Sequence, residues 1–317
     1  MTRFAAIDVG TNSTKMTVAV LEDGERVDTI ARQRYVSQLG RDHGHDGSLD
    51  LDAMERTIGD LMKLVDLARS LEVGEIRAVA TQAVRDAPNR EEFTRQVLEC
   101  TGLELQVLDP YEEAALGWRA ICHEHQVGSG SSMLLDIGGG SMEYLLADGS
   151  RIEEVISLPL GALRLAQAFD LVDCVETSRW DSLGEHVRST LDSRLSVSGQ
   201  APYAWGVGGT LESLVTLDRL GIGLADGLDA VPPGDDWAFT GLAVERIKSI
   251  ANELCSMTLA QRIAGAGLEP GRAAIIPAGA VVAFETLRFK GVDRGCCVTR
   301  QCLRDGLLLE MSGLEAA

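Results

Sequence analysis

An α/β protein built from two similar halves is the fold class that the sequence predicts, and three observations predict it. Apolar runs of strand length alternate with helical patterns along the 317 residues, which points to layers of helices on sheets. The order strand, strand, strand, helix, strand, helix occurs twice. One phrase opens both copies: "AAIDVGTNS" (5–13) and "LLDIGGGS" (134–141) each run from an apolar strand through Asp and an aliphatic residue into a turn of Gly, Ser and Thr. An internal duplication of this kind predicts two similar domains facing each other across a cleft. Ligands of such sheets bind where the strands end.

In the first half, "RFAAID", "KMTVAVLE" and "ERVDTIARQRYVSQLG" are apolar or alternating runs separated by Gly or Asp-Gly turns, a three-stranded meander. "LDAMERTIGDLMKLVDLARSL" carries Met54, Ile58, Leu61, Leu64, Val65 and Ala68 at helical spacing. A strand "EIRAVAT", a helix "REEFTRQVLECT", a strand "LELQVL" and a helix beginning at "DPYEEAALGW" follow. The second half repeats the plan with strands "SSMLLDIGGG", "SMEYLLADG" and "RIEEVISLPL", a helix over 177–195, the strand "YAWGV" and the helix "TLESLVTLDRL". "AAIIPAGAVVAFETL" (273–287) is too short to span a bilayer and reads as a buried helix. "GLADGLDAVPPGDD" (223–236) reads as a mobile surface loop.

A formal net charge of −19 argues against a broad basic face, and so against non-specific nucleic-acid or membrane binding. A few Lys and Arg in a cleft still admit an anionic substrate. Aromatic residues are 4% of the chain, so the core rests on Leu, Val, Ile and Ala. Seven cysteines without a C-x-x-C read as small apolar fillers of a reduced, cytoplasmic protein. Cys296 and Cys297 are adjacent in a strand and point to opposite faces. His43 and His45 fall in the polar "GRDHGHDGS", a loop and not a metal site. The opening "MTRFAAIDVG" lacks the long apolar stretch of a secretory signal.

Glycine loses more backbone freedom on folding than any other residue, so three in a row at Gly138, Gly139 and Gly140 need a local reason. Close approach of a phosphate to the backbone is one, because the N–H groups of such a turn can hold its oxygens. Gly10, Thr11, Asn12 and Ser13 form the first candidate cradle, and Gly138, Gly139, Gly140 and Ser141 the second. A third, Gly208, Gly209 and Thr210, leads from a strand into a helix whose N-terminus favours an anion. A tight hairpin explains one such turn without a ligand; three at the ends of apolar strands are harder to explain that way. Asp8 and Asp136 occupy matching places. Carboxylates beside phosphate need a cation between them, so Asp8 and Asp136 predict Mg2+, or Mn2+, and Glu143 on the following strand can point back into the same cleft. Turn capping is the plainer role for either Asp alone.

In "DPYEEA", Asp109 fits an N-cap, Pro110 the first helical position and Glu112 a capping box. Glu113 is not needed for the cap and is the better candidate for a base that orients an attacking water. Lys15, Arg85, Asn89, Arg90 and Arg164 follow turns or strands; Lys15 and Arg85 are the cations assigned to phosphate, although each basic residue alone also reads as a surface charge.

"AAIDVGTNSTK", "ATQAVRDAPN", "DPYEEA", "LLDIGGGSMEY", "SLPLGALRL", "GVGGT" and "VTRQCLRDGLL" occur in an order that resembles the exopolyphosphatase/guanosine pentaphosphate phosphatase (Ppx/GppA) family, of the superfamily of sugar kinases, Hsp70 and actin. The resemblance covers nearly the whole chain. It implies two ribonuclease H-like (actin-like ATPase) domains flanking an interdomain cleft, over 1–114 plus 303–317 and over 115–302, with a final helix at about 304–314 returning to the first. It also implies a catalytic role for Glu113, metal support by Asp136 and Glu143, and a homodimer; Glu113 and Glu143 together suit attack by water. Met142 departs from a frequent Thr and Thr299 from a frequent Ser. Longer members carry an extra C-terminal helical region that helps hold long polyphosphate, so this chain resembles a short form, not expected to act processively on very long chains. The expected activity is metal-dependent release of orthophosphate from inorganic polyphosphate; guanosine pentaphosphate is the alternative substrate. A kinase of the same superfamily and a non-catalytic actin-like nucleotide binder are the remaining readings.

Overall fold

The computed structural model describes residues 2–22, 26–41, 46–173, 175–195, 203–222, 239–292 and 295–314. His43, His45 and the 223–236 segment lie outside them. The chain divides into two compact units, Met1–Val127 with Gln301–Ala317, and Gly128–Arg300.

The first unit contains β1 (Thr2–Val9), β2 (Thr14–Glu22), β3 (Arg26–Tyr35), α1 (Leu51–Ser70), β4 (Glu75–Ala80), α2 (Gln82–Arg85), α3 (Arg90–Thr101), β5 (Leu105–Val107), α4 (Pro110–His125) and the C-terminal helix Leu303–Ser312. The sheet order is β3-β2-β1-β4-β5, with the first three strands antiparallel and β4 and β5 parallel to β1. Strand alternation sorts β1 onto two faces. Ala5, Ile7 and Val9 join Met16 and Val18 in a core with Met54, Leu61 and Leu64 of α1 and Phe93 and Val97 of α3. Phe4 and Ala6 join Ala19 on the other face, against Leu108, Leu116 and Leu303, Leu307 and Leu308 of the C-terminal helix. All six apolar positions that the spacing predicts for α1 are buried.

The third strand ends at Tyr35, short of the predicted Gly40. The next residues turn back over the first glycine turn, where the Gln38 N–H donates to the Asn12 carbonyl at 3.1 Å and the Gly40 N–H to the Thr11 carbonyl at 2.9 Å. The expected domain division after residue 114 falls inside α4. That helix lies wholly in the first unit, because Leu116 packs with the C-terminal helix.

The second unit contains β6 (Ser131–Ile137), β7 (Met142–Asp148), β8 (Arg151–Leu158), α5 (Ala162–Ala168), α6 (Thr177–Arg194), β9 (Tyr203–Val207), α7 (Gly208–Arg219), β10 (Phe239–Leu242), α8 (Val244–Ser256), α9 (Leu259–Ala266), α10 (Pro270–Ala273), α11 (Ile276–Phe289) and β11 (Cys296–Thr299). Its order, β10-β11-β9-β6-β7-β8, repeats the first sheet and adds β10 at one edge. Again the first three strands are antiparallel, and β9 runs parallel to β6. Leu135, Ile137 and Tyr144 pack against Leu183 and Val187 of α6, Leu214 of α7, Ile247 and Leu254 of α8 and Val282 and Leu287 of α11. The buried helix foreseen at 273–287 is α11, and its Glu285 pairs with Arg188 at 2.7 Å. Helices α5 and α8–α10 and strand β10 were not foreseen. α5 is a seven-residue helix with no side-chain cap, so no start signal precedes it. Among the described residues no helix is long and apolar enough to cross a membrane.

Leu307 is fully buried between β1, β2 and α4. Leu307→Ala is expected to cost about 2–5 kcal/mol in urea unfolding; an unchanged midpoint would contradict the packing of the C-terminal helix on this sheet.

Candidate functional site

The same backbone device ends β1 and β6. The Gly10 N–H donates to the Ser13 carbonyl at 3.1 Å, and the Gly138 N–H to the Ser141 carbonyl at 3.0 Å. The carbonyls inside each turn face the protein: Thr11 and Asn12 accept from the 38–40 segment, while Gly138 accepts from Ala162 at 2.9 Å and Gly139 from Leu163 at 2.8 Å. Arg164 Nε donates to the Gly140 carbonyl at 2.8 Å, so Arg164 braces the second turn. With their carbonyls turned inward, residues 11–13 and 139–141 keep their N–H groups available to an anion. Gly161 is a close approach, since a side chain there would collide with the backbone of Gly139, Gly140 and Ser141.

Three hydroxyls expected to hold phosphate are engaged by the protein instead. Thr11 Oγ1 donates to Gln82 Oε1 at 3.2 Å, Ser141 Oγ to Glu143 Oε1 at 2.6 Å, and Thr210 Oγ1 to the Ile137 carbonyl at 2.9 Å. A hydroxyl has one proton to donate, so these side chains orient the turns, and the turn amides are the donors that remain available. Asn12 and Ser13 are also buried, and Asn12 Oδ1 has no hydrogen-bond partner among the described residues.

In the first unit, Asp8 faces Lys15 across the β1–β2 ladder, and Lys15 faces Arg34 across the next. Lys15 Nζ is 4.0 Å from Asp8 Oδ2, and Arg304 Nη1 of the C-terminal helix is 3.7 Å from the same oxygen. The four-residue α2 links two predicted groups: its Gln82 holds Thr11, and its Arg85 holds Glu113, with Nη1 to Oε2 at 3.1 Å. Arg85 Nη1 also donates to the Leu108 carbonyl at 2.8 Å. Glu112 completes the expected capping box, with the Asp109 N–H donating to Glu112 Oε2 and the Glu112 N–H to Asp109 Oδ1, both at 2.8 Å. Glu113 is thereby left to Arg85. Asn89 clamps the chain before α1 through the Leu49 N–H and carbonyl, and Arg90 donates to the Arg85 carbonyl.

In the second unit the corresponding row reads Asp136, Glu143, Ser157 across β6, β7 and β8. Glu143 is buried, and its Oε1 accepts from both Ser141 and Ser157, the latter at 2.9 Å. Gly208 has φ +83°, and a side chain there would collide with Asp136 Oδ1. The Arg272 guanidinium occupies the space beside Gly209. Helix α7 starts at Gly208 with no side-chain cap, so its first N–H groups are available as donors to an anion.

The chemistry of these donors bears on a metal. Directly opposed carboxylates repel unless donors or a cation lie between them. Among the described residues no group of three or more His, Cys, Asp or Glu forms a metal cage. Mg2+ usually takes one or two carboxylates and completes its shell with water and phosphate oxygens, so Asp136 and Glu143 fit it. On Asp8, Lys15 and Arg304 both approach Oδ2.

Arg304, Arg272, Ser157 and Gln82 were not foreseen as site residues. Counting back from a four-residue turn pairs 8 with 15 and 136 with 143, but no local pattern marks Arg304 or Arg272, which arrive from distant helices.

A model of the Ppx/GppA phosphatase family matches residues 17–315. The chain belongs to that family, within the actin-like ATPase superfamily, and stands among hydrolases of the Ppx/GppA type. It is 29% identical to a protein named exopolyphosphatase 2 from Mycobacterium tuberculosis, over 99% of both chains. It is 26% identical to a guanosine-5'-triphosphate,3'-diphosphate pyrophosphatase from Vibrio campbellii, covering 97% of this chain and 59% of that one. A solved Ppx/GppA family member from Aquifex aeolicus is 28% identical with a TM-score of 0.77, covering 98% of this chain and 97% of that one. An exopolyphosphatase structure from Cytophaga hutchinsonii, at 21% identity, shares the fold with a TM-score of 0.86 over 99% of both chains.

Ser157→Ala removes a hydroxyl donor from a buried carboxylate, a loss of about 1.5–3 kcal/mol. A lowered urea midpoint is the expected result, and wild-type stability would count against Ser157 as a support of Glu143.

Proposed function

We propose that this protein is an exopolyphosphatase that hydrolyses the terminal phosphoanhydride of inorganic polyphosphate and releases orthophosphate. The observation that carries the reading is the repeated turn, closed by one backbone bond and presenting its amides outward, beside an opposed Asp136–Glu143 pair. In this reading each unit is a ribonuclease H-like domain whose strand-end turns bind phosphate. The amides of Thr11, Asn12, Ser13, Gly139, Gly140 and Ser141 and the N-terminus of α7 bind phosphate oxygens, and Lys15 adds a cation. Asp136 and Glu143, with Asp8, would hold Mg2+, or Mn2+, which supplies neutralisation of phosphate charge when bound. Glu113, oriented by Arg85, positions the attacking water and accepts its proton. Arg85 thus acts on phosphate through Glu113 in this mechanism, and positioning with charge stabilisation does most of the work.

Guanosine pentaphosphate is the second reading, favoured by the name of the Vibrio relative, since it presents a terminal phosphate on the same kind of anhydride. A kinase is disfavoured because Glu113 and Glu143 suit water attack and not exclusion of water.

Orthophosphate release should be measured on long polyphosphate, short polyphosphate and guanosine pentaphosphate, each with Mg2+ and with a chelator. Chelation is expected to stop release, and Glu113→Ala to lower kcat by about 10²–10⁴-fold with the circular dichroism unchanged. Full activity in Glu113→Ala would remove that residue from the chemistry. Release from none of the substrates would favour the kinase or the silent binder, and nucleotide-dependent sedimentation would then identify a filament former.

A further inference from the structure

We propose that Arg304 is a positioning residue for Asp8, so that the C-terminal helix sets the geometry of the acid at the first turn. The inference deepens the hydrolase reading and rests on it for its kinetic part.

Strand alternation puts Asp8 on the same face of β1 as Phe4 and Ala6, which is the face that the C-terminal helix covers. Lys15 and Thr17 lie on the same face of β2 as Ala19, by the same alternation. The first turn of the C-terminal helix carries Arg304 onto this face. Its Nε donates to Thr17 Oγ1 at 2.9 Å, and its Nη1 stands 3.7 Å from Asp8 Oδ2. Lys15 Nζ approaches that same oxygen at 4.0 Å from the facing strand. The Arg304 and Asp8 side chains are 11% and 13% exposed, so solvent screens this pair far less than a surface pair.

The two carboxylate oxygens are therefore distinguished. Oδ2 faces the two cations, and Oδ1 lies toward Gly10, at the start of the phosphate-binding turn. A planar guanidinium anchored at Nε and directed at a carboxylate through Nη1 constrains both position and orientation, which a lysine ammonium does only in part. Arg304 acts through Asp8 and not on the substrate, and this separates it from Lys15 and from the turn amides.

The test is a double-mutant cycle on the full chain. Orthophosphate release from tripolyphosphate is measured for wild type, Arg304→Met, Arg304→Lys, Asp8→Asn and the Asp8→Asn/Arg304→Met double variant, with urea unfolding of each. Misplacement of a site group by about 1 Å costs up to about 10²-fold, so Arg304→Met is expected to lower kcat by about 10–100-fold. KM is expected to stay within about threefold, because no substrate contact is lost. Arg304→Lys should recover part of kcat, and the double variant should be no slower than Asp8→Asn alone. A wild-type kcat in Arg304→Met, a rise in KM at constant kcat, or a double variant slowed by the product of the two single effects would overturn the proposal. The last two would show direct substrate contact. If the wild type releases no phosphate, the hydrolase reading fails by itself, and the same cycle read in urea decides the pairing: coupled stability losses support it, and strictly additive ones overturn it.

Discussion

Strand register at two hairpins is the constraint on which the chemistry of this molecule depends. In an antiparallel pair, a slip of one residue sends every side chain to the opposite face. The Gly10–Ser13 and Gly138–Ser141 bonds close turns of equal length, and that closure puts Asp8 across from Lys15 and Asp136 across from Glu143. With register set, the apolar alternation on either side follows: Ala5, Ile7 and Val9 enter one core and Phe4 and Ala6 another. The site and the core are two readings of one periodicity.

Equal backbones carry unequal chemistry. The row beside the first turn is Asp8, Lys15 and Arg34, to which Arg304 is added; the row beside the second is Asp136, Glu143 and Ser157. The first places two cations, Lys15 and Arg304, on one oxygen of Asp8. The second holds two carboxylates face to face, with hydroxyls on Glu143, and suits a divalent cation. A duplicated frame can thus diverge in function by single substitutions at ladder positions without disturbing the turns.

Much of the polar machinery positions other groups. Gln82 and Arg85, three residues apart on one turn of helix, hold Thr11 and Glu113. Thr210 ties the third glycine turn to the end of β6, and Arg164 braces the Gly140 carbonyl. Holding carbonyls and hydroxyls inward leaves the turn amides as fixed, preorganised donors.

The sequence by itself determined the α/β class, the duplication, the glycine turns and the capping box that separates Glu112 from Glu113. These are local signals, because turn chemistry, helical spacing and strand alternation act over a few residues. The pairing of Asp8 with Lys15 was within reach of the same arithmetic. Only the tertiary structure decided that Thr11, Ser141 and Thr210 donate inward, that Arg85 meets Glu113, and that Arg304, 296 positions beyond Asp8 in the chain, meets its carboxylate. A donor's partner is set by what packing brings within about 3 Å, and contacts between distant segments leave no periodic trace in the chain.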